Sequence, residues 1–271
     1  MNDTIYKLIS EALERGESLA LCTITESRGS TPRHAGSKML VYEDGRFTGT
    51  VGGGELEHRV LDEAMIAIYE GKPTKLNYSM TDPARGDPGV CGGQVEVFVE
   101  PVLPKEKIVV IGGGHVGKAV AHLAKWLGFW VSVSDDRTEF CTPEMNPDAD
   151  EFFPVPMEEL PKHMNINRST YLLLTTRGSN VDVLGLPPLL GSKARYSGVI
   201  GSKRRGAATV KGLKEKGLSD DAIARVHSPM GLELNAETPE EIAVSMMAEI
   251  LMLKHGGDGK SMKGKKQAEL V

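Results

Sequence analysis

The stretch Lys107-Ile-Val-Val-Ile-Gly112-Gly-Gly114-His115-Val-Gly117-Lys-Ala-Val-Ala-His constrains this chain more than any other. Four apolar residues with strand preference lead into Gly-x-Gly-x-x-Gly, and a helix-forming stretch follows. Asp135 and Asp136 close the next apolar run, 23 and 24 residues after Gly112. Each residue type has a geometric reason. Gly112 permits the tight turn from strand to helix, Gly114 lets a diphosphate approach bare backbone, and Gly117 lets the helix pack closely on the strand. The helix start adds unpaired N–H groups for the anion. A carboxylate at the end of the second strand is placed to hold a ribose hydroxyl. With strand, helix and acid in context, the pattern predicts dinucleotide-type binding. The alternative is a fold that has kept the turn and binds nothing there.

The sequence after residue 105 alternates strand and helix patterns. Apolar runs at 108–111, 130–133, 171–174 and 196–200 are separated by helix-length segments, the signature of a Rossmann-like, doubly wound parallel sheet. Thr238-Pro239-Glu240-Glu241 is a strong helix start: the threonine caps, proline needs no N–H at the first helical position, and Glu241 completes a capping box. That helix is expected to continue through Leu253 and to pack on the sheet or a partner.

The preceding segment, joined by Pro101-Val-Leu-Pro-Lys-Glu-Lys107, reads as an α/β domain with a small sheet. A helix through Leu8, Ala12 and Leu13 ends near Gly16, and Leu19 to Thr25 is a buried strand. Met39–Tyr42 and Arg46–Val51 flank Asp44-Gly45, a hairpin turn pair that tolerates positive φ. Gly52-Gly53-Gly54 follows, then a helix from Glu55 to about Tyr69. Leu76–Met80 and Gln94–Glu100 are two more strands; Val95, Val97 and Val99 alternate as in an outer strand. The expected division is 1–104, 105–255, and a tail over 256–271 without apolar periodicity, expected to be disordered.

Composition excludes some classes. The net charge of −5 gives no reason to expect nucleic acid, and no apolar run approaches the ~20 residues of a membrane span. The N-terminus lacks a secretory pattern. Cys22, Cys91 and Cys141 are isolated thiols with no CxxC pair, which reads as a reducing cytoplasm and argues against a structural zinc site.

Several segments are candidates for chemistry. Gly52–Gly54 at a strand-to-helix junction is a second candidate anion cradle. Arg28, Arg33, His34 and Lys38 fall in a Gly-, Ser- and Pro-rich loop suited to gripping a phosphate or carboxylate, and equally to being a solvated basic loop. Cys91 lies in a Gly-rich approach to a strand, where a thiol is accessible; Cys22 reads as core. Arg177, Lys203, Arg204 and Arg205 fall after the carboxyl ends of later strands, where parallel sheets bind ligands, or else form solvated helix starts. His115 would need a substrate proton nearby to act as acid or base. No nucleophile elbow, Walker sequence, His-Glu-x-x-His or calcium loop is present. The profile favours holding a ligand over transforming it.

Together these segments resemble the XdhC/CoxI family, accessory proteins of molybdenum hydroxylases such as xanthine dehydrogenase. The resemblance rests on Gly29-Ser-Thr-Pro-Arg33, Gly36-Ser-Lys-Met-Leu-Val41, Gly49-Thr-Val-Gly-Gly-Gly54-Glu-Leu-Glu57 and Cys91-Gly-Gly-Gln-Val-Glu-Val-Phe-Val-Glu-Pro101. The second half adds the Gly112 loop, Asp135-Asp136-Arg137, Ile200-Gly-Ser-Lys-Arg-Arg205, Pro229-Met-Gly-Leu-Glu233 and Thr238-Pro-Glu-Glu-Ile-Ala243. The resemblance implies a chaperone that binds molybdenum cofactor (molybdopterin, in a mononucleotide or dinucleotide form), protects it, supports its sulfuration with a cysteine desulfurase as partner, and delivers it to an apo molybdenum hydroxylase. It also implies a homodimer, and a contact between Cys91 and molybdenum. Some relatives carry a second cysteine where this chain has Glu55, and others a histidine where it has Ser179, so neither role carries over. The competing expectations are an NAD-dependent oxidoreductase using Gly112–Gly117 and Asp135, and an interaction module with a vestigial nucleotide fold.

Overall fold

The computed structural model describes residues 2–81, 87–89 and 91–264. The chain divides into two compact units, Met1–Pro104 and Lys105–Val271.

In the first unit, α1 (Asn2–Glu14) precedes β1 (Leu19–Arg28), β2 (Lys38–Tyr42) and β3 (Phe47–Gly49), and α2 (Gly54–Glu70) leads to β4 (Thr74–Ser79) and β5 (Gln94–Val102). The five strands form an antiparallel sheet in the order β3-β2-β1-β5-β4. Side-chain alternation along β1 builds two cores. Ala20, Cys22 and Ile24 join Val60, Ala64 and Ile68 of α2, whereas Leu19 and Leu21 join Ile5 and Ala12 of α1 on the other face. The hairpin turns at Gly45, whose φ is +83°, and Asp44 accepts the Arg46 N–H at 3.0 Å. β5 corrects the expectation of an outer strand: it lies between β1 and β4. Its alternation, with Val95, Val97 and Val99 buried against α2, reflects a sheet face that faces a helix rather than an edge. β3 is shorter than the expected 46–51, because Gly49 takes φ +89° and the next residues turn to meet α2.

The second unit is a six-stranded parallel sheet in the order β11-β10-β9-β6-β7-β8. The elements run β6 (Lys107–Ile111), α3 (His115–Trp126), β7 (Trp130–Ser134), β8 (Glu151–Phe153), α4 (Leu160–His163), β9 (Thr170–Leu174), α5 (Ser179–Leu190), β10 (Tyr196–Val199), α6 (Lys203–Glu215), α7 (Asp220–Ala224), β11 (Val226–His227) and α8 (Pro239–His255). Ile108 and Val110 face α3 and α8, while Val109 and Ile111 face α5 and α6, so both sheet faces are covered. Strand order reverses between β6 and β9, which opens a crevice at their carboxyl ends. Thr238 caps α8 with the full capping box, and Gly256 closes it at φ +68°. Of the segment expected to be disordered, 256–264 ends in a 3-10 turn, Met262–Gly264, and 265–271 lies outside the described residues.

Among the described residues, no helix is long and apolar enough to cross a membrane.

Candidate functional site

The Gly112 loop has the close approaches its sequence demands. At φ +113°, a side chain on Gly112 would meet the Thr175 carbonyl at 2.6 Å, and one on Gly117 would strike the Gly112 carbonyl. Gly114 faces open space at φ −71°. Gly113 is as constrained as its neighbours, because a methyl there would run into the Phe140 carbonyl. Asn146, fully buried, donates to Phe140 O at 2.8 Å and Gly113 O at 3.2 Å, fastening the loop from behind. Neither Gly113 nor Asn146 stands out in sequence, since their contacts join segments 33 residues apart.

Asp135 is buried and fully engaged. Its Oδ2 accepts from Gly113 N (2.9 Å) and Arg137 Nη2 (2.8 Å), and its Oδ1 from Arg137 N and Nε (3.0 Å each). These four bonds fill the lone-pair positions of a carboxylate, so in this state Asp135 holds the glycine loop and not a ribose. Arg137 also lies over the Phe140 ring, 4.1 Å from its centroid. Asp136 instead pairs with Arg177, Nη1 to Oδ1 at 2.7 Å and Nη2 to Oδ2 at 2.8 Å. The Arg177 guanidinium holds the Asp136 carboxyl below its ordinary value, more than offsetting partial burial.

Gly112, Asp135, Asp136 and Arg177 line one cleft of about 340 Å³ at the carboxyl ends of β6, β7 and β9. Ile111, Val155, Met157, Val181 and Leu184 give it an apolar wall. The dimensions and lining suit a planar base with a polar sugar and phosphate edge. His115 is exposed at the first residue of α3 and does not line the cleft.

The basic residues after β10 separate into two kinds. Lys203 and Arg204 are exposed in the first turn of α6 and lie outside the cleft lining. Arg205, expected with them to meet a ligand, instead turns inward. It contacts fully buried Asp182 at 2.8 Å and donates to Thr176 O at 3.0 Å, pinning α6 to the end of β9. A second inward cluster centres on Glu249 of α8, which accepts from Tyr196 OH (2.8 Å), Gly231 N (2.5 Å) and His227 Nδ1 (2.9 Å). Burial pushes this carboxyl up, but the three bonds outweigh burial and leave it below its ordinary value.

In the first unit the structure brings together motifs that are far apart in sequence. A side chain on Gly29 would lie 3.2 Å from Gly92 O, one on Gly93 would collide with Ser30 O, and one on Gly52 would meet Pro32 at 2.8 Å. Gly29–Arg33, Gly52–Gly54 and Cys91–Gly93 therefore interlock at one end of this unit. Arg33 and Cys91 are exposed there. The glycine triplet is not an empty cradle: Glu57 Oε2 accepts the N–H groups of Val51 (3.2 Å) and Gly53 (3.3 Å), together with the Thr50 hydroxyl. An acid in the first turn of α2 favours the positive helix end, and that signal is available from sequence. Glu55 pairs with Arg59 at 2.9 Å. Cys22 is buried and its thiol is pushed up to about 12; burial also raises Cys141. No group of three or more His, Cys, Asp or Glu able to hold a metal ion occurs among the described residues.

A dinucleotide-type fold and a second unit built on interlocked glycine motifs define a class of two-unit protein. The XdhC Rossmann domain model matches residues 108–250 and the XdhC and CoxI family model matches 12–79; the chain belongs to this family. It is 36% identical to Escherichia coli YqeB over 94% of its own length, and spans 47% of that protein, about half its length. A Bacillus subtilis protein, named as a probable xanthine dehydrogenase component, is 28% identical, with 92% of this chain and 97% of that one covered. The molybdenum cofactor insertion chaperone PaoD of E. coli is 23% identical, with 93% and 88% covered. A crystal structure described as a xanthine dehydrogenase from Bacillus halodurans shares the fold, with a TM-score of 0.51 at 22% identity over 97% of each chain.

Proposed function

We propose that this protein binds molybdenum cofactor as cargo and delivers it to an apo-enzyme of the xanthine dehydrogenase type. The observation that carries the reading is the meeting of Gly29–Arg33, Gly52–Gly54 and Cys91–Gly93, with the Cys91 thiol exposed beside backbone that bears no side chains. Gly53, Gly54 and Gly92 face open space. Such a surface lets a phosphate-bearing pterin approach the backbone and Arg33, while a soft thiolate can reach molybdenum or its terminal ligands. The name of PaoD supports the cargo, and that of the B. subtilis relative supports the client class.

In this reading the bound cofactor is shielded and sulfurated with a cysteine desulfurase as partner, and the carrier is a cytoplasmic homodimer of two-domain chains divided at 104/105. Within the second unit, the Gly112 loop, Asp136 and Arg177 are the candidate nucleotide contacts, with Lys203 and Arg204 exposed outside the cleft. A titration of the purified chain with anaerobically prepared molybdenum cofactor, run beside NAD and NADP, tests it. Tight cofactor binding with weak nicotinamide binding supports delivery; the reverse overturns it.

The 340 Å³ cleft at the Gly112 loop favours a second reading, an NAD-binding oxidoreductase. In that case turnover with a nicotinamide dinucleotide would be measurable without any molybdenum hydroxylase.

A further inference from the structure

The Asp136–Arg177 pair joins the end of β7 to the loop after β9, and β6 lies between those two strands in the sheet. The pair therefore spans roughly two strand spacings, about 10 Å, across the end of β6, where the Gly112 turn begins. A diphosphate that settles in the cleft against Gly112 meets this bar. Both side chains line the same cleft as Gly112, and both are partly open to solvent, Arg177 at 48% and Asp136 at 39%. A pair this exposed is easily parted. The neighbouring Asp135–Arg137 pair is different, since its carboxylate is 2% exposed and its lone pairs are filled.

We infer that Asp136 and Arg177 are an exchange pair. When a nucleoside diphosphate enters the cleft, Arg177 leaves the Asp136 carboxylate for the diphosphate, and the released carboxylate takes the ribose hydroxyls. A guanidinium fork that meets two carboxylate oxygens at 2.7 and 2.8 Å has the same geometry for two phosphate oxygens. The ribose-reading acid is then Asp136, one residue beyond the position that is occupied by the glycine loop. The inference rests on the proposed nucleotide role of the cleft and adds which residues read which part.

The test separates the two halves of the ligand. Inorganic diphosphate and adenosine are titrated against the full chain by calorimetry, directly and in competition with ADP and CDP, for wild type, Asp136→Asn and Arg177→Ala. Exchange predicts crossed effects. Asp136→Asn binds diphosphate about tenfold more tightly and adenosine more weakly; Arg177→Ala loses about tenfold or more for diphosphate and gains for adenosine. If ADP or CDP binds wild type but the variants change both probes in the same direction, or neither probe, the exchange is overturned and the nucleotide reading survives. If no probe binds wild type or Asp136→Asn, in which the bar is open, both fall together.

Discussion

Asp135 accepts the backbone N–H of Gly113 at 2.9 Å, tying the end of β7 to the turn that follows β6. The bond makes the acid part of the loop's scaffold. Asp135→Asn should destabilise the second unit by about 2–4 kcal/mol, toward the lower part of the range for a broken buried pair because Arg137 keeps some solvent. Urea unfolding followed in that unit checks the value, and a loss below about 0.5 kcal/mol would sink the scaffold role.

Three glycines of the loop should behave differently under substitution. Gly113→Ala and Gly117→Ala drive a methyl into a carbonyl and should cost about 3 kcal/mol or more, beyond ordinary overpacking. Gly114→Ala meets nothing within 4 Å and should leave the melting temperature unchanged while weakening any nucleotide bound. Thermal melts paired with ADP titrations separate the two outcomes.

Of the three thiols, only Cys91 should react in the folded protein. Cys22 is held protonated by burial, with its value near 12, and Cys141 is raised in the same direction. Native alkylation read by mass spectrometry should label Cys91 alone, with the other two appearing after denaturation. Cys91→Ser should weaken retention of molybdenum cofactor without altering stability; undiminished retention removes the thiol from the site.

Acid should loosen the sheet edge through Glu249. Its folded value lies below the ordinary 4.5, so its contribution is fully present above that pH and is lost as pH falls through the lower folded value. Wild type should therefore lose stability as pH drops below about 4.5, and Glu249→Gln should flatten that part of the profile. An unchanged slope would mean that other carboxylates govern it.

Arg205→Ala should cost about 3–5 kcal/mol by stranding the buried Asp182 carboxylate, whereas Lys203→Ala and Arg204→Ala should stay within about 0.5 kcal/mol. Chemical denaturation of the three variants under one set of conditions is the measurement.

Much of this architecture is legible in the sequence. β6, β7, β9 and β10 announce themselves because each is buried on both faces, so that β6 and β9 appear as apolar runs and β7 and β10 as runs broken only by serine and glycine. β8 and β11, three and two residues long, are too short to leave such a run. The roles of Gly112 and Gly117 follow from backbone sterics, which are local and leave a mark in spacing. The role of Asp135 does not, because a carboxylate in sequence carries no record of which donors will fill it. Arg204 and Arg205 are adjacent and chemically identical, yet one faces solvent and the other a buried acid 23 residues earlier. Only the packing of α5 against α6 distinguishes them.

Glu57 gives the glycine triplet a resident anion. The loop can therefore reach its working shape during folding, before any visitor arrives, so a phosphate landing there would act by displacement and would not have to order the chain. Occupancy then becomes a contest between two negative groups for the same N–H donors. For the visitor to win, the Glu57 carboxylate at the head of α2 has to turn away from those N–H groups and from the Thr50 hydroxyl.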